Sequence, residues 1–374
     1  MKKFRKYNFS RNAVRIAIFI LVNACVDPIN FNIPVAELNT TIEGMITDGP
    51  GPYIVKVSEG VSLSADSVVR VPVQNARIKL YDDQGNVEDL TESSPGDYQT
   101  GGVIRGKVGH SYYIRVETSD GKVFESEPDV ITPVGNIEAI KFEYEARVVE
   151  QQFGAVPQDV FRIYIDSKSS GAEDAYVRWR FTGTYKVLSY PERHWIWASG
   201  YPLPDPYPCS GINYSGQGRD PVRVFDCTCC TCWARQYESQ PQLSDAKLVK
   251  EGQFNNILVG TVPINSATFY DKYLVEIEQM SLSKKSFDFF KSVRAQKEGA
   301  SSLFQPPSGE IKGNIKSMNS TSRVVGIFWA TSISSKSLFI RRSDVPYLLT
   351  PIPEIRFPCT WYPYATNQQP KNWE

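Results

Sequence analysis

Apolar and polar residues alternate with a period of two along most of the chain after its first thirty residues. That period sends successive side chains to opposite faces of a strand. In ARIKLYDDQGNVEDL, Ala76, Ile78 and Leu80 share one face, MITDGPGPYIVKV has Asp48-Gly49 at a turn, and YYIRVETSDGKVFES carries Asp120-Gly121 between two alternating runs. Asp-Gly between alternating runs is a strong hairpin signal, because the tightest hairpin turns need positive φ. Strands at this spacing predict a small immunoglobulin-like or prealbumin-like β-sandwich over residues 38–135, closed by Pro128 and Pro133.

The same pattern continues from 136 to 374, predicting a larger β-rich domain with strands at 160–166, 176–187, 273–280, 323–333 and 337–342. SLSKKSFDFFKSVRAQKEG departs from it. Ser283 stands as N-cap, Leu282 and Phe287 as a hydrophobic staple, Phe287, Phe290 and Val293 as an apolar stripe, and Gly299 as the stop, which predicts one amphipathic helix packed on a sheet. Residues 190–233 fit neither period. This long excursion is rich in Pro, Gly, Trp and Tyr, and loops of such length in compact domains are usually functional or disordered. Trp195, Trp197, Tyr201 and Tyr207 give it the composition of a binding hot spot, read here as one rigid aromatic surface, with capping of the domain core as the plainer alternative.

The first thirty residues follow another logic. Lys2, Lys3, Arg5, Lys6, Arg11 and Arg15 precede a short apolar run from Ile16 to Val22, then Asn23, Ala24 and Cys25. A basic head, a short apolar stretch and a small residue before the cut form a secretory signal over 1–24, and the run is too short to span a bilayer. Val22-Asn23-Ala24-Cys25 resembles a bacterial lipobox, which makes Cys25 the expected lipid-attachment site and residues 25–37 a short tether. Removal of 1–24 takes six of the 41 basic residues and none of the 41 acidic ones, so the mature chain carries about −6. Nucleic acid is thereby excluded as a main partner.

Export also decides the sulfur chemistry. Six cysteines remain beyond Cys25, namely Cys209, Cys227, Cys229, Cys230, Cys232 and Cys359, and an even number in an oxidising compartment suits disulfides. If CTCCTC is extended, Cys227 and Cys229 face one way and Cys230 and Cys232 the other, favouring separate partners, with Cys209 and Cys359 the distant candidates. Metal is disfavoured, because C-x-C-C-x-C crowds four ligands that one tetrahedral ion needs spread apart.

Signs of catalysis are missing from the sequence. His110 and His194, the two histidines, read as surface residues. GGVIRGKV at 101–108 imitates a P-loop through Gly101, Gly106 and Lys107, but Val108 replaces the magnesium-binding hydroxyl and the stretch lies between strands. A non-enzymatic protein without metal or cofactor, apart from covalent lipid on Cys25, is the expectation.

Taken in order, the lipobox at Cys25, LNTTIEGMITDGPGPYIVKVS, VPVQNARIKLYDDQGN with PGDYQT, GHSYYIRVETSDGKVFESEP, YLVEIEQMSLSKKSFDFFKSV, SSLFQPPSGEIKGNI, VVGIFWATSIS and a tail with TNQQPKNW resemble a family of Bacteroidota outer-membrane lipoproteins. That family is classed as a domain of unknown function and is often encoded beside TonB-dependent receptors. The resemblance implies a lipid-anchored outer-membrane protein at the cell surface, acting as accessory or lid to a TonB-dependent receptor or another barrel. The alternative is a free-standing surface binder or adhesin for glycan or peptide.

Overall fold

The computed structural model describes residues 39–374 apart from 65–66, 152–153, 172–174, 199, 216–219, 245–251, 300–310 and 352. The expected signal peptide, Cys25 and tether lie outside the described residues. Strand makes up 52% of the structure and helix 9%, so the architecture is mainly β, as the alternation predicts.

Two sandwiches follow one another. In the first, a sheet ordered Val324–Thr331, Thr40–Thr47, Ile54–Ser64, Asp97–Gln99, Thr91–Ser94 faces a sheet ordered Ile315–Ser317, Val123–Ser126, Ser111–Glu117, Arg77–Asp82, Val87–Asp89. Ile42, Ile46, Val55, Val57 and Tyr98 of one sheet meet Ile78, Leu80, Ile114, Val116 and Phe124 of the other in one core. The Asp120-Gly121 turn forms as expected, with Thr118 and Lys122 closing it and Gly121 at φ 85°. In the second sandwich, Ile137–Glu145, Val160–Lys168 and Gln253–Pro263 pack on a larger sheet ordered Ile333–Arg341, Lys272–Leu282, Tyr176–Leu188, Thr231–Tyr237, Ala365–Thr366. Its core holds the fully buried Trp179, whose indole donates to Gln279 Oε1 at 2.9 Å, while Gln279 Nε2 donates to the Lys168 carbonyl at 2.9 Å. Burying these polar groups costs little because each finds its partner.

One predicted strand lies elsewhere than expected. The alternation places residues 323–333 in the C-terminal set, but Val324–Thr331 runs parallel to Thr40–Thr47 and completes the first sandwich. Ser332 alone separates it from Ile333–Arg341 in the second, so nearly one continuous strand serves both. The crossing is held by hydrogen bonds that run from the buried Thr331 and Ser332 out to the surface at Ile333. Thr331 Oγ1 donates to the Ser281 carbonyl at 2.8 Å, the Ser332 amide to Ser281 Oγ at 3.0 Å, and the Ile333 amide to Asp48 Oδ1 at 3.0 Å, while the Ser332 hydroxyl donates to Asp48 Oδ2.

The helix Lys284–Gly299 wedges into this crossing. Ser283 caps it as predicted, its Oγ accepting from the Ser286 amide at 3.2 Å. Phe290 lies edge-on to Trp329 of the first sandwich at 5.2 Å and beneath the Arg178 guanidinium of the second, while Phe287 lies on Tyr176 at 4.7 Å. Val293 is only half-buried, so the apolar stripe is shorter than the pattern predicts. At the helix start, Lys285 and Lys316 both grip Glu127, at 2.7 and 2.6 Å. Hydrogen bonds from Lys285 and then Lys316 pull the Glu127 carboxyl down to about 2. A depressed carboxylate stabilises the fold above its unfolded value of 4.5, and that contribution is lost as pH falls through the folded value. Melting temperature is therefore expected to fall between pH 4.5 and about 2, and Glu127→Gln should remove this part of the decline. A Gln variant with an identical pH profile would refute the assignment.

Candidate functional site

The excursion at 190–233 is ordered by sulfur. Its cysteines form Cys209–Cys229, Cys227–Cys230 and Cys232–Cys359, each with Cα atoms 5.7 Å apart. All six expected cysteines pair, and Cys209 and Cys359 are distant partners as read. Cys227 and Cys230 depart from the expectation by joining each other, because residues 228–230 bend instead of extending. The bend brings residues three apart to one side. Cys227-x-x-Cys230 has the spacing of a redox dithiol, but it opens no helix, and Cys230 Sγ lies 3.9 Å from Glu192 Oε2, a carboxylate that would disfavour a thiolate. The position fits a structural bridge. Cys232–Cys359 is fully buried beside Val187 and Ala234 and pulls the C-terminal tail onto the end of the large sheet.

From this base projects a two-stranded ribbon, Trp195–Ala198 paired with Tyr201–Pro204. Directly opposed residues share a face. Trp195 and Trp197 therefore lie with Pro204 and Pro202 on one face, and Ile196 and Ala198 lie with Leu203 and Tyr201 on the other. The two indoles meet edge-on at 6.2 Å. Both faces are exposed, with Trp197 at 67% and Ile196 at 46% of their free surface, and no charged residue occurs between 195 and 204. An isolated hairpin is marginal in water. This one is fastened at its root, where the Asp205 amide donates to the His194 carbonyl at 3.0 Å and the Tyr207 amide to the Pro191 carbonyl at 3.1 Å.

The four predicted aromatics do not form one surface. Trp195 and Trp197 do, Tyr201 projects from the reverse face, and Tyr207 sits at the root between His194 at 4.5 Å and Trp361 at 5.1 Å. Strand alternation explains the split. Trp361 and Phe357, themselves stacked at 6.5 Å, extend the aromatic root. Neither carries a local signal in the sequence, since the tail is brought here by long-range links, the Cys232–Cys359 bridge and the pairing of Ala365–Thr366 with Trp233 and Ala234 among them.

The remaining candidates resolve structurally. The Gly101–Lys107 loop is a nest of backbone amides, but Glu88 fills it. That buried carboxylate accepts from Gly102 at 2.7 Å and Ile104 at 2.6 Å. His110 Nδ1 lies 2.9 Å from Asp83, whose carboxyl this bond holds below its ordinary value, and His194 Nδ1 lies 2.7 Å from the Asp205 carbonyl. Among the described residues, no group of three or more His, Cys, Asp or Glu could hold a metal, and no helix is long and apolar enough to cross a membrane. The ribbon offers apolar burial, ring stacking and indole N–H donors.

A family model described as a domain of unknown function, DUF4249, matches residues 26–337. No curated protein matches the chain.

Proposed function

Because the chain belongs to the DUF4249 family, we propose that it is a non-enzymatic lipoprotein of the outer membrane, anchored through Cys25 and displayed at the cell surface as accessory or lid to a barrel of the TonB-dependent receptor type. The observation that carries this reading is the uncharged ribbon with apolar residues on both faces. Such a surface gains free energy when a partner encloses it, at about 25 cal/mol per Å² of apolar area removed from water. Trp and Tyr are also the residues that dominate interface energetics. The anchor lowers the affinity required, since confinement to the membrane plane raises the effective concentration beside an embedded partner.

The test is co-purification from outer membranes in mild detergent. The natural protein should recover a stoichiometric barrel, and the Trp195→Ala/Trp197→Ala variant should lose it while keeping its melting temperature within a few degrees. Undiminished recovery by the variant would refute the ribbon as the contact. Recovery of the natural protein alone, in several detergents, would favour the free-standing binder. Cys25→Ser should shift the protein out of the membrane fraction.

A further inference from the structure

The end of the large sheet opposite the helix holds a cavity of about 270 Å³. The end of Tyr176–Leu188, the loop around Ala267 and Tyr270, and the tail segment around Ile355 form its walls. We infer that this cavity is a binding site for a small planar carboxylate, with an aromatic or otherwise apolar body and one anionic end.

The body follows from the lining. Val187, Leu188, Tyr190, Tyr270 and Ile355 make the lining mostly carbon, and two of the five are tyrosines. The volume lies near the lower end of known ligand pockets, which calls for a compact molecule. The anionic end follows from the charges. Lys186 and Arg342 both line the cavity. Lys186 has no acidic or hydrogen-bond partner among the described residues, and the Arg342 guanidinium donates one bond, to the Phe269 carbonyl at 3.1 Å. Glu354, the one acidic lining residue, is already held by Arg193 Nη1 at 2.5 Å and lies 3.7 Å from Arg356 Nη2. The local balance is therefore cationic, and an anion meets charged donors beside an apolar wall.

The wall is also prebuilt. The Tyr190 amide donates to the Ile355 carbonyl at 2.7 Å, and Cys232–Cys359 fixes the tail four residues further on. Little ordering is left for the ligand to impose.

The test uses the full chain in detergent and isothermal calorimetry with trans-cinnamate and its uncharged amide, cinnamamide. Cinnamate is expected to half-saturate below about 1 mM and cinnamamide at least about tenfold higher. Lys186→Met should narrow that difference by weakening cinnamate and not cinnamamide, Arg342 keeping part of it, and Ala267→Trp, which fills the cavity, should abolish both. Val87→Ala, at an exposed position on the first sandwich, should change neither. Melting curves confirm that each variant is folded. If Ala267→Trp does not fold, Lys186→Met decides. The absence of heat with cinnamate up to about 5 mM, or equal binding of acid and amide, would overturn the assignment.

Discussion

Replacing both Cys232 and Cys359 with alanine is expected to cost about 5 kcal/mol of stability. The bridge closes a loop with a sequence separation of 127, so its loss returns much chain entropy to the unfolded state. The local effect is larger than the global one. The tail strand Ala365–Thr366 pairs with Trp233 and Ala234, and Trp361 completes the aromatic root, so both lose their fastening together. Urea unfolding followed by tryptophan fluorescence should show the loss, and limited proteolysis should cut the variant between the Ile333–Arg341 strand and the tail. Cys227→Ala/Cys230→Ala is the control. Its bridge has a separation of only 3 and should cost about 2 kcal/mol by the same reasoning. Equal losses in the two variants would refute the entropic account.

Asp129→Ala should cost about 3 kcal/mol and loosen the two sandwiches from each other. This carboxylate is buried, and its Oδ2 accepts from Ser286 Oγ of the helix at 2.7 Å and from the Ala330 amide of the crossing strand at 3.0 Å. Truncation leaves two buried donors without an acceptor, the costly side of hydrogen-bond energetics. Asp129→Asn keeps an acceptor oxygen and should cost about 1 kcal/mol. The distinguishing readout is hydrogen exchange of the Ser332 and Ile333 amides, which bridge the sandwiches through Ser281 and Asp48. Those amides should exchange faster in the alanine variant well below its melting temperature. Unchanged exchange there would place Asp129 outside the coupling of the two halves.

Local features were legible wherever a short stretch carried its own physics. Asp120-Gly121 turns where predicted because the turn needs a positive φ and glycine supplies it. The helix starts at Ser283 because the side-chain cap lies within one turn of the amide that it satisfies. Long-range placement was not legible. Nothing in VVGIFWAT distinguishes a strand of the second sandwich from one that completes the first, since alternation reports burial on a face and says nothing of which partner covers it. Gly326 is the one trace. At φ 115° it sits where a Cβ would meet the Ile42 carbonyl, and only a bare backbone fits that approach. The cysteine cluster failed for a different reason. Alternation predicts the faces of a strand, and a bend at 228–230 exchanges that geometry for one that brings Cys227 and Cys230 together. The ribbon residues were singled out correctly as an aromatic concentration, but their division between two faces follows from a register that residue types alone do not specify.

The parallel pairing of Thr40–Thr47 with Val324–Thr331 also bears on mechanics. The chain that precedes residue 39 leads directly into an interior strand, flanked on its other side by Ile54–Ser64. A pull applied from the N-terminal side would load both rows of hydrogen bonds lengthwise, so that they must yield together and not one after another like a zipper. Among the described residues the first strand is thus a shear-resistant element, and force entering from its N-terminal side would be shared by the two strands beside it.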